Sequence, residues 1–150
     1  MSTLHLVLYA PSSVQKLLDF LKTVYTGNFT PVIVKPMGAA AQVGIPEAHK
    51  ISYKLNKPLI VLPEISDLVN VLGCDCIYYI SDEGEEINPV DLVSSGSCGK
   101  IAIMLSSGEL EPSRRELEKA KIAWIKGVPR GMPSVAIAGI IVYELLKLKR

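Results

Sequence analysis

The chain is organised around its end, where residues 124–144 read Trp-Ile-Lys-Gly-Val-Pro-Arg-Gly-Met-Pro-Ser-Val-Ala-Ile-Ala-Gly-Ile-Ile-Val-Tyr-Glu. Trp124 and Ile125 are typical of the end of a buried strand, and the Gly and Pro residues that follow break regular structure. Pro133 suits the first turn of a helix, where its missing N–H costs nothing. From Ser134 the residues are small and apolar on nearly every side, which predicts a buried helix.

Upstream of this stretch, apolar strand patterns alternate with helical ones. Strands are predicted at residues 4–9, 31–36, 58–63, 74–80, 100–105 and 122–125, and helices at residues 14–24, 47–56, 64–72 and 112–121. Residues 81–86 are predicted to form an acidic loop. Continuous apolar strands of this kind are typical of a parallel sheet between two layers of helices. We therefore expect a doubly wound, mostly parallel α/β sheet in a single domain over residues 1–150.

The composition limits the possible partners. The 150 residues are 49% hydrophobic with net charge +1, and this apolar excess suggests a surface buried in a homodimer. Neither a signal peptide nor an apolar run long enough for a membrane is visible, so we expect a cytoplasmic protein. Residues 112–150 hold nine Lys/Arg and three Glu, and the rest is acidic. A basic end beside a glycine loop fits a polyanion partner, and a solvated helix face is the alternative.

The three cysteines are Cys74, Cys76 and Cys98. Their odd number and the lack of a secretion signal predict reduced thiols. Cys74-x-Cys76 lacks the second ligand pair of a zinc site, so the sequence predicts no metal.

Small and polar residues follow three late strands, at residues 81–84, 106–109 and 126–133. In open parallel sheets, ligands bind at the carboxyl ends of the strands. Glycine and serine there leave backbone N–H and C=O groups accessible, and such groups can bind an adenine edge without charged side chains. The sequence therefore predicts a ligand site formed by these three loops.

Two of these segments resemble motifs of the SPOUT superfamily of knotted methyltransferases, in its SpoU-like branch. Residues 103–109, Ile-Met-Leu-Ser-Ser-Gly-Glu, look like its apolar strand ending in Leu-Gly-Ser-Glu-Gly, with Ser106 in the usual Gly position. The final family motif, S-[LM]-N-x-S-x-A with an apolar-Tyr-Glu end, is matched by Met132, Ala138, Val142, Tyr143 and Glu144. Pro133 replaces the usual Asn, and Ser134–Val135 replaces an apolar-Ser pair.

The resemblance implies a C-terminal trefoil knot, a homodimer paired through residues 14–24 and 137–148, and S-adenosylmethionine as cofactor. The predicted cofactor-binding residues are Leu105, Ser106, Ser107, Gly108, Glu109, Ile125, Lys126, Gly127, Met132, Pro133, Ser134 and Val135. The resemblance also implies methylation of tRNA or rRNA, at the ribose 2′-OH. The basic C-terminal third predicts RNA contacts by Arg114, Arg115, Lys126 and Arg130.

One departure concerns catalysis. The SpoU-like branch has an arginine in its first helix, where this chain has Gln15, Lys16 and Lys22. Arg130 or a lysine has taken that role, the substrate differs, or methyl transfer has been lost. Arg130 is the catalytic candidate, and Glu109 and Glu144 are the candidates for a general base.

The main functional prediction is therefore an S-adenosylmethionine-dependent RNA methyltransferase. The first alternative is a non-catalytic protein of the same fold that binds the nucleoside cofactor, RNA or both. A metal-dependent nuclease is the other, and it needs clustered carboxylates with a nearby lysine. Asp82, Glu83, Glu85 and Glu86 share one loop without such a lysine. A dinucleotide site is not predicted, because Gly-x-Gly-x-x-Gly is missing after the first strand.

Overall fold

The computed structural model of the chain describes residues 3–27, 29–93 and 98–148. Within these residues the strands are β1 (Thr3–Tyr9), β2 (Val32–Lys35), β3 (Leu59–Val61), β4 (Cys76–Ile87), β5 (Lys100–Ser106) and β6 (Ala120–Ile125). The α-helices are α1 (Val14–Val24), α2 (Ile45–Leu55), α3 (Asp67–Asn70) and α4 (Ser134–Leu148). A π-helical segment, Ala40–Gly44, leads into α2, and a 3-10 turn, Pro89–Leu92, follows β4.

The six strands form one sheet in the order β3-β2-β1-β5-β4-β6, and every neighbouring pair is parallel. This confirms the predicted parallel α/β sheet with helices. The trefoil knot and the doubly wound topology stay predictions. No helix in the described ranges is long and apolar enough to cross a lipid bilayer.

The core forms two clusters because successive strand residues point to opposite faces of the sheet. Leu6 and Leu8 of β1 pack in one cluster with residues of α1 and α4. Val7, between them, packs in the other cluster with Leu68 of α3. In the first cluster α1 buries Leu17, Phe20, Leu21 and Val24, and it packs against α4.

The predicted helix at residues 112–121 is wrong. Ser113 and Glu116 do form a capping box, the pair of reciprocal hydrogen bonds that begins many helices. The Ser113 N–H donates to Glu116 Oε1 (3.0 Å), and the Glu116 N–H donates to Ser113 Oγ (3.1 Å). Only turns follow at residues 114–119, because β6 begins at Ala120, which aligns with Ile77 of β4. The local sequence favours a helix here, but the pairing of β6 with β4 prevents the helix from continuing.

Two other boundaries differ from the prediction. The helix predicted at residues 64–72 is confined to α3, four residues long. The acidic residues 81–86, predicted as a loop, lie within β4. The register with β6 explains the second difference, because Ile80 and Glu85 both align with Ala123. Residues 81–84 therefore bulge out of the ladder as in a β-bulge, and we name them the rim excursion.

Gly84 fixes how closely the rim excursion approaches β6. A Cβ atom at this position would lie 2.6 Å from the N, Cα and C atoms of Ala123. Only glycine allows this contact between the two backbones.

Cys76 and Cys98 form a disulfide with a Cα–Cα distance of 5.8 Å, so the prediction of reduced thiols is wrong for this pair. The cause is tertiary: Cys76 aligns with Ile101 of β5, which brings the segment just before β5 beside it. Cys74 is free and buried, as expected.

The disulfide predicts a response to reductant. It spans 22 residues, and restricting the unfolded chain over that length stabilises the fold by about 3 kcal/mol. We expect dithiothreitol to lower the melting temperature of the wild type and leave that of a Cys76→Ser/Cys98→Ser variant unchanged. Cys74→Ser is the control and should respond as the wild type does. Equal melting of the wild type with and without reductant, after complete reduction by thiol titration, would contradict the prediction.

Candidate functional site

A cleft of about 430 Å³ opens at the carboxyl end of β5. Three segments meet there, at the edge of a parallel sheet where ligands usually bind. Its lining comes from the middle of β4 with the start of the rim excursion (residues 79–82), the end of β5 (residues 105–108) and the approach to α4 (residues 131–135). Lys16, Glu111, Trp124 and Ile137 complete it. We name it the strand-end cleft.

The structure brings most of the predicted cofactor residues together here. Lining residues from that set are Leu105, Ser106, Ser107, Gly108, Met132, Pro133, Ser134 and Val135. The others lie outside the lining. Ile125 is buried in the core, and Lys126 and Gly127 are exposed beyond the end of β6. Glu109 is directed toward α1.

The β5 end of the cleft is held by its own hydrogen bonds. Ser107 is buried, and its Oγ donates to the Ala10 carbonyl (2.9 Å), while the Gly108 N–H donates to Ser106 Oγ (3.0 Å). Gly108 has φ +83°, a conformation that favours glycine. Ala10 has φ +50°, which is uncommon for alanine and typical of strain near functional sites. This wall is therefore preorganised.

Lys16 fastens α1 to the same wall. Its Nζ donates to the Ser107 carbonyl (3.2 Å) and lies 3.3 Å from Glu109 Oε1. The other oxygen, Glu109 Oε2, accepts from the Ser12 N–H (3.1 Å). Among the lysines that the sequence offered in place of the missing arginine, Lys16 is the one at the cleft.

A tyrosine–carboxylate pair forms the opposite side of the cleft. The Tyr79 hydroxyl donates to Glu111 Oε2 (2.5 Å), and both residues line the cleft. Burial, followed by the hydrogen bond to Glu111, raises the pKa of Tyr79, so the phenol stays protonated at neutral pH. Sequence reasoning missed Glu111, because no local motif shows that a turn residue meets Tyr79, 32 positions earlier.

Arg130 lies on the rim, outside the cleft lining. Its guanidinium donates to the carbonyls of Asp82 and Gly84 (3.2 Å to the latter) and lies 3.9 Å from Glu86 Oε1. Its donors therefore point at protein carbonyls, whereas the predicted catalytic role requires them to point at a ligand.

Of the predicted RNA-binding residues, Arg115 lines a second cleft, of about 710 Å³, with Lys35 and Lys119. Arg114, Lys126 and Arg130 are exposed and are not part of that lining.

A divalent metal needs several carboxylate or imidazole ligands that converge on one point. In residues 3–27, 29–93 and 98–148, no three His, Cys, Asp or Glu side chains are grouped so that they could hold a metal ion. The residues of this part of the chain do not fit the metal centre of a metal-dependent nuclease.

The chain matches the model of the RecB-family nuclease (DUF2122) family over residues 38–144. An Aeropyrum pernix protein named "Putative type II restriction enzyme ApeKORF2002P" is 36% identical over 144 residues, which are 94% of this chain and 91% of the relative. A Methanocaldococcus jannaschii protein named "Putative type II restriction enzyme MjaORF1200P" is 26% identical over 98% of this chain and 99% of the relative.

Solved structures of similar fold carry methyltransferase names. The SpoU methyltransferase AviRb of Streptomyces viridochromogenes has a TM-score of 0.69 at 14% identity, over 97% of this chain and 59% of that one. An AdoMet-bound rRNA methyltransferase of Sinorhizobium meliloti has a TM-score of 0.66 at 11% identity, over 99% of this chain and 59% of that one. At these identities the likeness shows the fold alone, which agrees with the SpoU-like resemblance.

The prediction of an RNA methyltransferase as the main function is contradicted. The family model and both sequence relatives carry the names of nucleases, and the two relatives match this chain in sequence over more than nine-tenths of their own length. The methyltransferase structures share only the fold, and one fold serves many functions. By the extent of the family match and the identity of the Aeropyrum relative, this chain belongs to the RecB-family nuclease (DUF2122) family.

Proposed function

We propose that this protein acts on nucleic acid, and that its strand-end cleft binds a nucleoside bearing a cationic group. The charge of the cleft carries the proposal: Glu111 and Asp82 line it against a single cation, Lys16. Lys16 is also neutralised by Glu109 at 3.3 Å. Such a lining attracts positive charge and repels the phosphates of a bare nucleotide.

S-adenosylmethionine is the compound of this class to test first. Its sulfonium and amino groups are cationic, which suits the carboxylates of Glu111 and Asp82. The apolar side chains of Met132, Pro133 and Val135 line the cleft and are at least partly exposed, so they offer contact area for a base. A volume of about 430 Å³ lies within the usual range of small-molecule sites. The Sinorhizobium protein of the same fold is AdoMet-bound, which adds support.

RNA remains the proposed nucleic-acid partner, through the basic C-terminal third. Arg114, Arg115 and Lys126 are exposed and available for phosphates. Each phosphate contact releases counterions, so we expect affinity to fall with salt at a log–log slope of about −0.7 per contact on single strands. The proposed homodimer through α1 and α4 would be tested by sedimentation.

Phosphodiester hydrolysis is the second candidate, and the family match favours it. The carboxylates Asp82, Glu83, Glu85 and Glu86 on and beside the rim excursion do not converge with others into a metal-holding group among the described residues. We therefore derive no step through a metal ion.

Calorimetry against S-adenosylmethionine tests the main proposal. We expect saturable binding, and binding about tenfold weaker for S-adenosylhomocysteine, whose thioether lacks the sulfonium charge. Glu111→Gln keeps an acceptor for Tyr79 but removes a negative charge. It should therefore reduce the difference in affinity between S-adenosylmethionine and S-adenosylhomocysteine.

A parallel assay of DNA and RNA cleavage with Mg²⁺ tests the second candidate. No heat with either nucleoside, together with Mg²⁺-dependent cleavage, would overturn the main proposal and favour the nuclease.

A further inference from the structure

Two backbone carbonyls of the rim excursion accept hydrogen bonds from a side chain that is distant in sequence. Between Ile80 and Glu85 the register of β4 with β6 shifts, and a β-bulge of this kind disrupts the ladder locally. The Arg130 guanidinium donates to two carbonyls of the excursion, Asp82 O and Gly84 O. Glu86 Oε1, 3.9 Å away, orients the guanidinium further.

Arg130 belongs to the loop between β6 and α4, residues 126–133, which we name the glycine loop. Its neighbour Gly131 lines the cleft with φ +89°, and Asp82 lines it from the other side. One guanidinium therefore joins two walls of the strand-end cleft by contacts to backbone atoms. Its Nη1 donates to both carbonyls while Nη2 lies 3.9 Å from Glu86 Oε1, and an ammonium group has no such second nitrogen.

We propose that Arg130 is a positioning residue that fastens the rim excursion to the glycine loop and thereby sets how long a ligand stays in the cleft. The ligand part of this inference rests on the proposed function; the fastening itself does not. Without Arg130, Asp82 and Gly131 move independently and the cleft opens more often. The dissociation rate should therefore rise while the association rate changes little.

Trp124 gives a direct optical signal, because it is the only tryptophan of the chain and lines the cleft. With S-adenosylmethionine as the probe, stopped-flow fluorescence should show dissociation about tenfold faster in Arg130→Ala. Arg130→Lys keeps a donor for the carbonyls and should restore part of the loss. Lys54→Ala, an exposed lysine on α2, is the control and should behave as the wild type.

Amide hydrogen exchange without ligand tests the fastening by itself. Arg130→Ala should exchange faster at residues 81–84 and 126–133, with α1 and α4 unchanged. Unchanged exchange at residues 81–84, or faster exchange throughout the protein, would overturn the fastening. Local acceleration with unchanged ligand dissociation would overturn the effect on residence time. If the wild type binds no S-adenosylmethionine, the proposed function fails and the residence effect with it, while exchange alone decides the fastening.

Discussion

Gly84→Ala will destabilise the fold by about 3 kcal/mol or more, because the added methyl group meets backbone and not a movable side chain. The Cβ atom would lie 2.6 Å from three backbone atoms of Ala123, so β4 or β6 must shift. Residues 79–82 of β4 and Trp124 of β6 line the strand-end cleft, so the shift should also weaken ligand binding. Urea denaturation followed by circular dichroism measures the change.

Gly139→Ala is the matched control for Gly84→Ala. Gly139 lies inside α4, where a Cβ atom would be 3.7 Å from Thr23 Cγ2, an ordinary contact. Alanine there should stabilise the protein by about 0.4–1 kcal/mol, because it restricts the unfolded chain. If the two variants unfold at the same urea concentration, the close approach of β4 to β6 at Gly84 is wrong.

Gly108→Val should abolish ligand binding while the protein remains folded. A Cβ atom at Gly108 meets nothing within 4 Å, so the valine side chain begins in open space at the cleft. The positive φ of +83° adds about 1–3 kcal/mol of backbone strain. The measurement is calorimetry with S-adenosylmethionine.

Gly127→Val separates occlusion of the cleft from backbone strain. Gly127 has a similar φ, +91°, and equally open surroundings, but it lies outside the cleft lining. We expect both variants to lose similar stability, and only Gly108→Val to lose binding. Equal loss of binding in the two would mean that strain in the loops, not the lining at Gly108, controls the ligand.

Local patterns predicted much of the fold. The bounds of α1 follow from apolar residues at helical spacing. The helix α4 begins at Ser134, directly after Pro133, which the sequence placed in the first turn of a helix. The positions of the apolar strands were predictable for a similar reason. The spacing of apolar residues and the Gly and Pro residues that bound each run are properties of neighbouring residues.

The predictions that were wrong concern residues whose structure depends on partners distant in sequence. Residues 112–121 look helical, but pairing with β4 makes Ala120 the start of β6. The Cys76–Cys98 disulfide depends on strand register, which a count of cysteines does not reveal. The loops of the cleft were predictable, because Gly and Ser leave their backbone N–H and C=O groups accessible. The Tyr79–Glu111 pair was not, because it depends on a tertiary contact.

Function was harder to predict than fold. The motifs at residues 103–109 and 132–144 describe how a strand end and a helix form a cleft, so they identified a fold that several solved structures share. The chain departs from the motif at Ser106, which stands in the usual Gly position, and at Pro133 and Ser134–Val135, which replace the polar Asn and the apolar-Ser pair. The family match, which covers residues 38–144, then contradicted the activity that the resemblance had suggested.

A crystal structure of the protein grown with S-adenosylmethionine tests the central claim most directly. We predict density for the nucleoside in the strand-end cleft, between residues 105–108 and residues 131–135, with its cationic part toward Glu111 and Asp82. An unoccupied cleft at a saturating concentration, or the ligand bound at another surface, would contradict the account.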